Sequence, residues 1–331
     1  MRNRAIAALA TPAVAAVAIG GVLVATHHTS VPPLTPSSSP AVAQSSSPGA
    51  AGARNSTTRQ CDHASIPRAG GQPFLGIATN PELNKHVKSF QAATGAHMTL
   101  VEYYNPFVKP FQEWEAKQAV AVGDVPFIQL NPRGIDLWQI AHGSYDSHIR
   151  QYARAVRAFG CPVMLSFGHE MNGWWYSWGR PDTSPAAFIA AWRRIYDIFR
   201  AQHVTNAVWS WDPTHVDRGA ASLASEWFPG NAYVNWVGID GYLLAGQSFF
   251  DVFHVQLRNI RHITNKPIFL AETGVAADPR QAWQVANLFA GLAKFHIDGL
   301  VWFDLDRRQP WRLQGRPAAL AAYRRAAAHL G

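Results

Sequence analysis

From residue 61 onward, short and almost unbroken apolar runs alternate with longer stretches in which apolar positions recur at helical spacing. An apolar run without alternation, bounded by turn residues, is the signature of a strand buried on both faces. Runs of this kind predict strands at Phe74–Thr79, Met98–Tyr104, Val125–Asn131, Pro162–Glu170, Asn206–Pro213, Val234–Tyr242, Lys266–Gly274 and Asp298–Asp306. Between them the period changes to that of helices. Ser184-Pro185 supplies an N-cap and a first-turn proline ahead of Phe188, Ile189, Trp192, Ile195 and Phe199, while Gln281–Phe295 and Ala318–Leu330 also carry apolar residues at helical spacing. Strand and helix alternating in this way predict an α/β protein, a (β/α)8 (TIM-type) barrel closed from parallel strands.

Residues 1–29 break this pattern. Arg2 and Arg4 precede an apolar run from Ala5 to Ala25, which fits a secretory signal peptide or an N-terminal membrane anchor with its positive end inside. Residues 30–60 turn to Ser, Pro, Ala and Gly, a composition that cannot bury enough apolar surface to fold and so reads as a linker. Residues 61–331 then form the single barrel domain. Export, to the outside or to an outward-facing tether, follows from either reading of the first segment. The two cysteines agree with an oxidising compartment. Cys61 opens the folded region and Cys161 precedes the fourth strand, so both belong at the amino-terminal side of the sheet, where a disulfide can form; two separate buried thiols are the alternative.

Composition narrows the chemistry. The 331 residues are 48% hydrophobic and 15% charged and include 13 Trp, a balance suited to handling a neutral polymer rather than an ionic one. The net charge of +8 raises the question of nucleic acid, but Arg150, Arg154, Arg157, Arg193, Arg194 and Arg200 are scattered along helical stretches with no basic block interleaved with aromatics. They read as solvated helix faces, with weak contact to an anionic cell envelope as a lesser alternative. A monomer is expected, and no cofactor is called for. A zinc site from His169, Asp212, His215 and His254 has none of the usual ligand spacing.

In such a barrel, catalytic groups come from the carboxyl ends of strands, and polar or aromatic residues do gather there. The fourth strand leads into Ser166-Phe-Gly-His-Glu-Met-Asn-Gly-Trp-Trp-Tyr-Ser-Trp-Gly179, the seventh ends at Ala271-Glu272-Thr273, and others end at Glu102-Tyr103-Tyr104, Trp209-Ser-Trp211 and Asp240-Gly-Tyr242. A carboxylate among indoles points to sugars, whose C–H faces stack on aromatic rings while the desolvated carboxyl keeps its proton. Glu170 and Glu272 face one another across the mouth. At about 5 to 5.5 Å apart, two such groups perform a double displacement with retention. Glu170 would hold the proton and Glu272 would stay ionised, with Tyr242 and His169 as donors.

At these residues the chain resembles glycoside hydrolase family 26. The family's His-Glu, Asn-Gly and Trp-rich turn stands here as His169-Glu170-Met171-Asn172-Gly173-Trp174-Trp175, and its nucleophile strand as Pro267-Ile-Phe-Leu-Ala-Glu272-Thr-Gly274, within a similarity spanning about residues 72–315. The resemblance implies Glu170 as acid/base, Glu272 as nucleophile, Tyr242 as the tyrosine touching the nucleophile, and Trp175 and Trp302 as aromatics of the subsite where the bond breaks. His169, Asn172, Trp178, Trp211 and Asp240 complete the expected substrate-binding set. The implied activity is endo-cleavage of a β-linked polysaccharide, first of all β-1,4-mannan, with mixed-linkage β-glucan and β-1,3-xylan as the other substrates of the family. Short loops after several strands depart from the larger relatives and their extended subsites. The rival from another class is a carbohydrate-binding envelope protein that keeps the cleft without the reaction.

Overall fold

The computed structural model describes residues 61, 63–79, 83–216, 222–307 and 309–330. The expected signal or anchor and the linker, residues 1–60, lie outside the described residues. Among the described residues, no helix is long and apolar enough to cross a membrane.

Eight parallel strands close into a barrel in chain order: β1 (Phe74–Ala78), β2 (Leu100–Pro106), β3 (Val125–Asn131), β4 (Val163–Phe167), β5 (Ala207–Trp211), β6 (Trp236–Leu243), β7 (Ile268–Val275) and β8 (Gly299–Phe303). Around them lie α1 (Leu83–Thr94), α2 (Glu113–Val120), α3 (Leu137–Ala141), α4 (Asp146–Phe159), α5 (Pro185–Ala201), α6 (Phe249–Ile263), α7 (Gln281–Lys294) and α8 (Pro317–Ala328). The expected fold is the observed one. One unit departs from the regular repeat: among the described residues, β5 and β6 are joined by two short 3-10 turns, Ala224–Trp227 and Asn231–Tyr233, in place of a full helix.

Local chemistry explains the helix starts. The Ser184 hydroxyl accepts from Ala187 N, with Pro185 in the first turn of α5, and Ser248 and Asp251 form a reciprocal capping box at α6. Inside the barrel, Phe74, Phe127, Trp236 and Phe269 come from β1, β3, β6 and β7 and meet ring to ring at 5.5 to 6.0 Å. Contacts between non-adjacent strands are possible only across the interior, so these rings plug the lower barrel and leave the mouth to polar groups.

Above the plug lies a polar layer. Gln129 Nε2 donates to Glu102 Oε1 at 2.8 Å and to Asp212 Oδ2 at 3.1 Å, and Ser210 donates to Asp212. The layer needs Gly238, because a Cβ there would run into the Asp212 carboxyl and the Ala271 methyl. At the opposite end of the barrel, Cys61 and Cys161 are joined in a disulfide with their Cα atoms 5.5 Å apart, across a sequence separation of 100. The Asn206 side chain donates to the carbonyls of Val156 and Cys161 and holds the start of β4 beside this bridge.

Candidate active site

The strand carrying the His-Glu pair is shorter than its apolar run implies. β4 stops at Phe167 because Gly168 takes φ 58° and Glu170 itself takes φ 53°, a left-handed conformation uncommon for a residue with a side chain. Backbone strain of this kind persists where surrounding contacts over-determine it. Here Glu170 N donates to Asp212 O at 2.7 Å and Gly173 N to Glu170 O at 2.9 Å, so the turn is clamped on both sides. The result lifts Glu170 off the strand end and into the cleft.

Trp175 Nε1 donates to Glu170 Oε2 at 2.6 Å. An indole N–H can only donate, so Oε2 is the acceptor, and the Thr214 side chain also bonds the carboxyl. Burial, and then repulsion from Glu272, push the Glu170 carboxyl up to about 8.

Glu272 is held differently. Tyr104 OH donates to its Oε1 at 2.5 Å and Tyr242 OH to its Oε2 at 2.6 Å. Burial raises this carboxyl, and the two phenols pull it back down. Two carboxyls share one cleft, and the one with the phenols is the one that ionises first. Register shifts between Gly238 and Asp240 on β6 and between Leu270 and Thr273 on β7 flank the site and set Asp240 opposite Glu272.

His169 is buried, with Nε2 at 3.3 Å from Tyr176 OH and at 3.8 Å from Glu272 Oε1. Burial lowers it to about 3, so the ring is neutral, and 3.8 Å is too long for a hydrogen bond. The expected donor His169 is therefore replaced by Tyr104, which sequence reading missed. Its signal was present at the end of β2, where Glu102, Tyr103 and Tyr104 stand together; Tyr103 is buried against Tyr152 and Glu115 while Tyr104 turns inward. Asp240 is fully buried, neither of its carboxyl oxygens has a protein partner, and burial followed by the charges of Glu272 and Glu170 raises it well above the usual range. Its proton is thus held more tightly than that of an ordinary carboxyl.

The site thus gathers Glu170, Glu272, His169, Asp240, Tyr242 and Trp175, together with Tyr104. Four expected substrate contacts are corrected. Trp178 is buried, stacked on Tyr176 at 4.2 Å, and donates to His169 O; it props the turn from behind. Trp211 is buried against Phe228, and Trp302 points away from the cleft, edge-on to Tyr323 and bonded to Trp311 O. An indole with no exposed face has nothing to stack on a sugar. Asn172 is also buried: its amide donates to the carbonyls of Thr214 and Ser222 and accepts from Thr214 N, tying the β4 turn to the segment after β5.

A closed parallel barrel with one carboxyl beside an indole and a second between two phenols, both at the strand ends, defines a class of (β/α)8 proteins with a paired-glutamate site. Within that class, the chain belongs to glycosyl hydrolase family 26, whose family model matches residues 79–279. It is 31% identical over 271 residues to Endoglucanase H of Acetivibrio thermocellus, covering 76% of this chain and 29% of that protein. It is 30% identical over 155 residues to Mannan endo-1,4-beta-mannosidase A and B of Caldalkalibacillus mannanilyticus, covering 44% of this chain and 28% of the other. The chain therefore spans less than a third of the length of either curated relative. Among solved structures, the fold is shared with an endo-beta-1,4-mannanase of Cellulomonas fimi at a TM-score of 0.64 and 18% identity, over 82% of this chain and 74% of that one.

Proposed function

We propose that this protein is a retaining, endo-acting hydrolase of β-linked polysaccharide, with β-1,4-mannan its first substrate. The observation that carries the reading is the unlike environment of the two glutamates. Glu170 holds its proton to about 8, and Glu272 is held by two phenols. In the first step a Glu272 oxygen bonds to the anomeric carbon, the glycosidic bond breaks, and the Glu170 proton goes to the leaving oxygen. In the second, Glu170 takes a proton from water, the water oxygen bonds to the anomeric carbon, and the bonding pair returns to Glu272. His169, held neutral by burial, adds no charge beside the nucleophile.

The surface supports a polymer as substrate. The exposed large apolar side chains among the described residues are Val108, Trp114, Trp138, Trp174, Leu223, Phe250 and Trp283. Of these, Val108, Trp114, Trp138, Trp174 and Leu223 lie in segments following a strand or in the first turn of the next helix, on the mouth side of the barrel. The mannosidase and endoglucanase names of the relatives support a β-linked glycan.

Export to the cell exterior, with residues 1–29 as signal or anchor and 30–60 as linker, and a monomeric state belong to the same proposal; the Cys61–Cys161 bridge supports an oxidising compartment. The test is reducing-end release by purified residues 55–331 from galactomannan, mixed-linkage β-glucan and β-1,3-xylan, with Glu272→Ala as blank. Release from mannan, with the new reducing end first appearing as the β-anomer, is expected. Release only from glucan or xylan would move the substrate, inversion would overturn the mechanism, and binding without turnover would leave a carbohydrate-binding protein.

A further inference from the structure

We propose that Tyr104 is a positioning residue of the nucleophile, acting on the oxygen that Tyr242 does not reach and promoting departure of Glu272 from its glycosyl ester. The inference rests on the reading of Glu272 as nucleophile. Tyr104 comes from β2 and Tyr242 from β6, on opposite sides of β7's glutamate, and each phenol donates to a different carboxyl oxygen. They are not interchangeable. Among the described residues, His169 Nε2 stands 3.8 Å from Oε1, too far to replace Tyr104 as its donor.

A phenol donates strongly to a carboxylate oxygen and weakly to the oxygen of an ester. When Glu272 bonds to the anomeric carbon, its negative charge is consumed and both phenol bonds weaken. When that bond breaks, the pair returns to the carboxylate and both bonds are regained. Tyr104 therefore favours breakdown of the intermediate over its formation, and favours the ionised over the protonated free enzyme. A tyrosine that merely filled space would do neither.

The titratable groups facing Glu272 are Glu102 and Tyr104 on β2, His169, Glu170 and Tyr176 after β4, Asp212 after β5, and Asp240 and Tyr242 on β6. A probe specific to Glu272 is therefore needed. The experiment titrates the side-chain carboxyl of Glu272 by ¹³C NMR in full-length wild type, Tyr104→Phe and Tyr242→Phe, with Glu272→Gln assigning the resonance and thermal unfolding confirming the fold. The expected result is a Glu272 midpoint higher in Tyr104→Phe by about one unit. On an aryl β-glycoside with a good leaving group, the same variant should show a product burst, with kcat and KM falling together by about tenfold. An unmoved Glu272 midpoint in the folded variant overturns the proposal, and so does a fall in kcat/KM with no burst. The titration needs no turnover, so an inactive wild type would sink the proposed hydrolase while leaving the Tyr104 hydrogen bond measurable.

Discussion

Trp175 holds one oxygen of Glu170: its indole N–H donates to Oε2 at 2.6 Å. This bond also opposes the effects of burial and of Glu272 on the carboxyl. Removing it should raise the Glu170 titration further. Trp175→Phe is expected to move the alkaline limb of kcat/KM to higher pH and to lower kcat about ten- to a hundredfold through misorientation. A pH–rate profile of the variant on mannan checks both.

The two limbs of the wild-type profile follow from the same pair. The working state has Glu272 ionised and Glu170 protonated. Because Glu272 is raised by burial, the acid limb should lie above the ordinary carboxylate range; because Glu170 is raised to about 8, the alkaline limb should fall near that pH. The dependence of kcat/KM on pH between 4 and 10 is the measurement.

Substitution separates the roles. Glu272→Ala should lose at least about 10³-fold in kcat on every substrate, since no group remains to form the intermediate. Glu170→Ala should lose as much on polysaccharide yet keep most of its glycosylation rate on aryl glycosides whose leaving group needs no proton. Full activity of either variant on a polymer would refute the assignment.

Asn172 gives a prediction of another kind. Its buried amide makes two donor bonds to the carbonyls of Thr214 and Ser222 and accepts from Thr214 N. Asn172→Ala should cost about 3 kcal/mol of stability, because these partners lose their bonds without gaining water. KM should change less than the denaturation midpoint, whereas a sugar-binding asparagine would show the reverse.

The disulfide lies at the opposite end of the barrel from the chemistry. Replacing Cys61 and Cys161 together by Ser should lower unfolding free energy by about 4 to 5 kcal/mol in the chain-entropy account of a loop with a separation of 100 residues. Turnover at temperatures well below unfolding should stay near wild type, and urea titration alongside activity tests this.

Much of this arrangement is legible in residue order. Strands buried on both faces must be apolar throughout, so eight runs announce eight strands, and glutamates just past the fourth and seventh place a carboxyl pair at the mouth. The same property hides the rest. A strand buried on both faces shows no alternation, so nothing in the order of residues tells which side of the sheet a side chain leaves from. Trp211 and Trp302 point away from the cleft and Tyr104 into it, although all three stand in comparable strand-end contexts. Asn172, two residues beyond Glu170, turns to the backbone of the next segment rather than to the mouth.

Sequence alone determined the barrel, the cysteine positions and the placement of two glutamates past the fourth and seventh strands, because these depend on composition and spacing along the chain. Tertiary structure alone decided which oxygen of Glu170 meets Trp175, which tyrosines hold Glu272, and that Asp240 is buried beside them. Those properties arise from burial and from distances of 2.5 to 2.6 Å between residues up to 168 positions apart, which exist only once the barrel has closed.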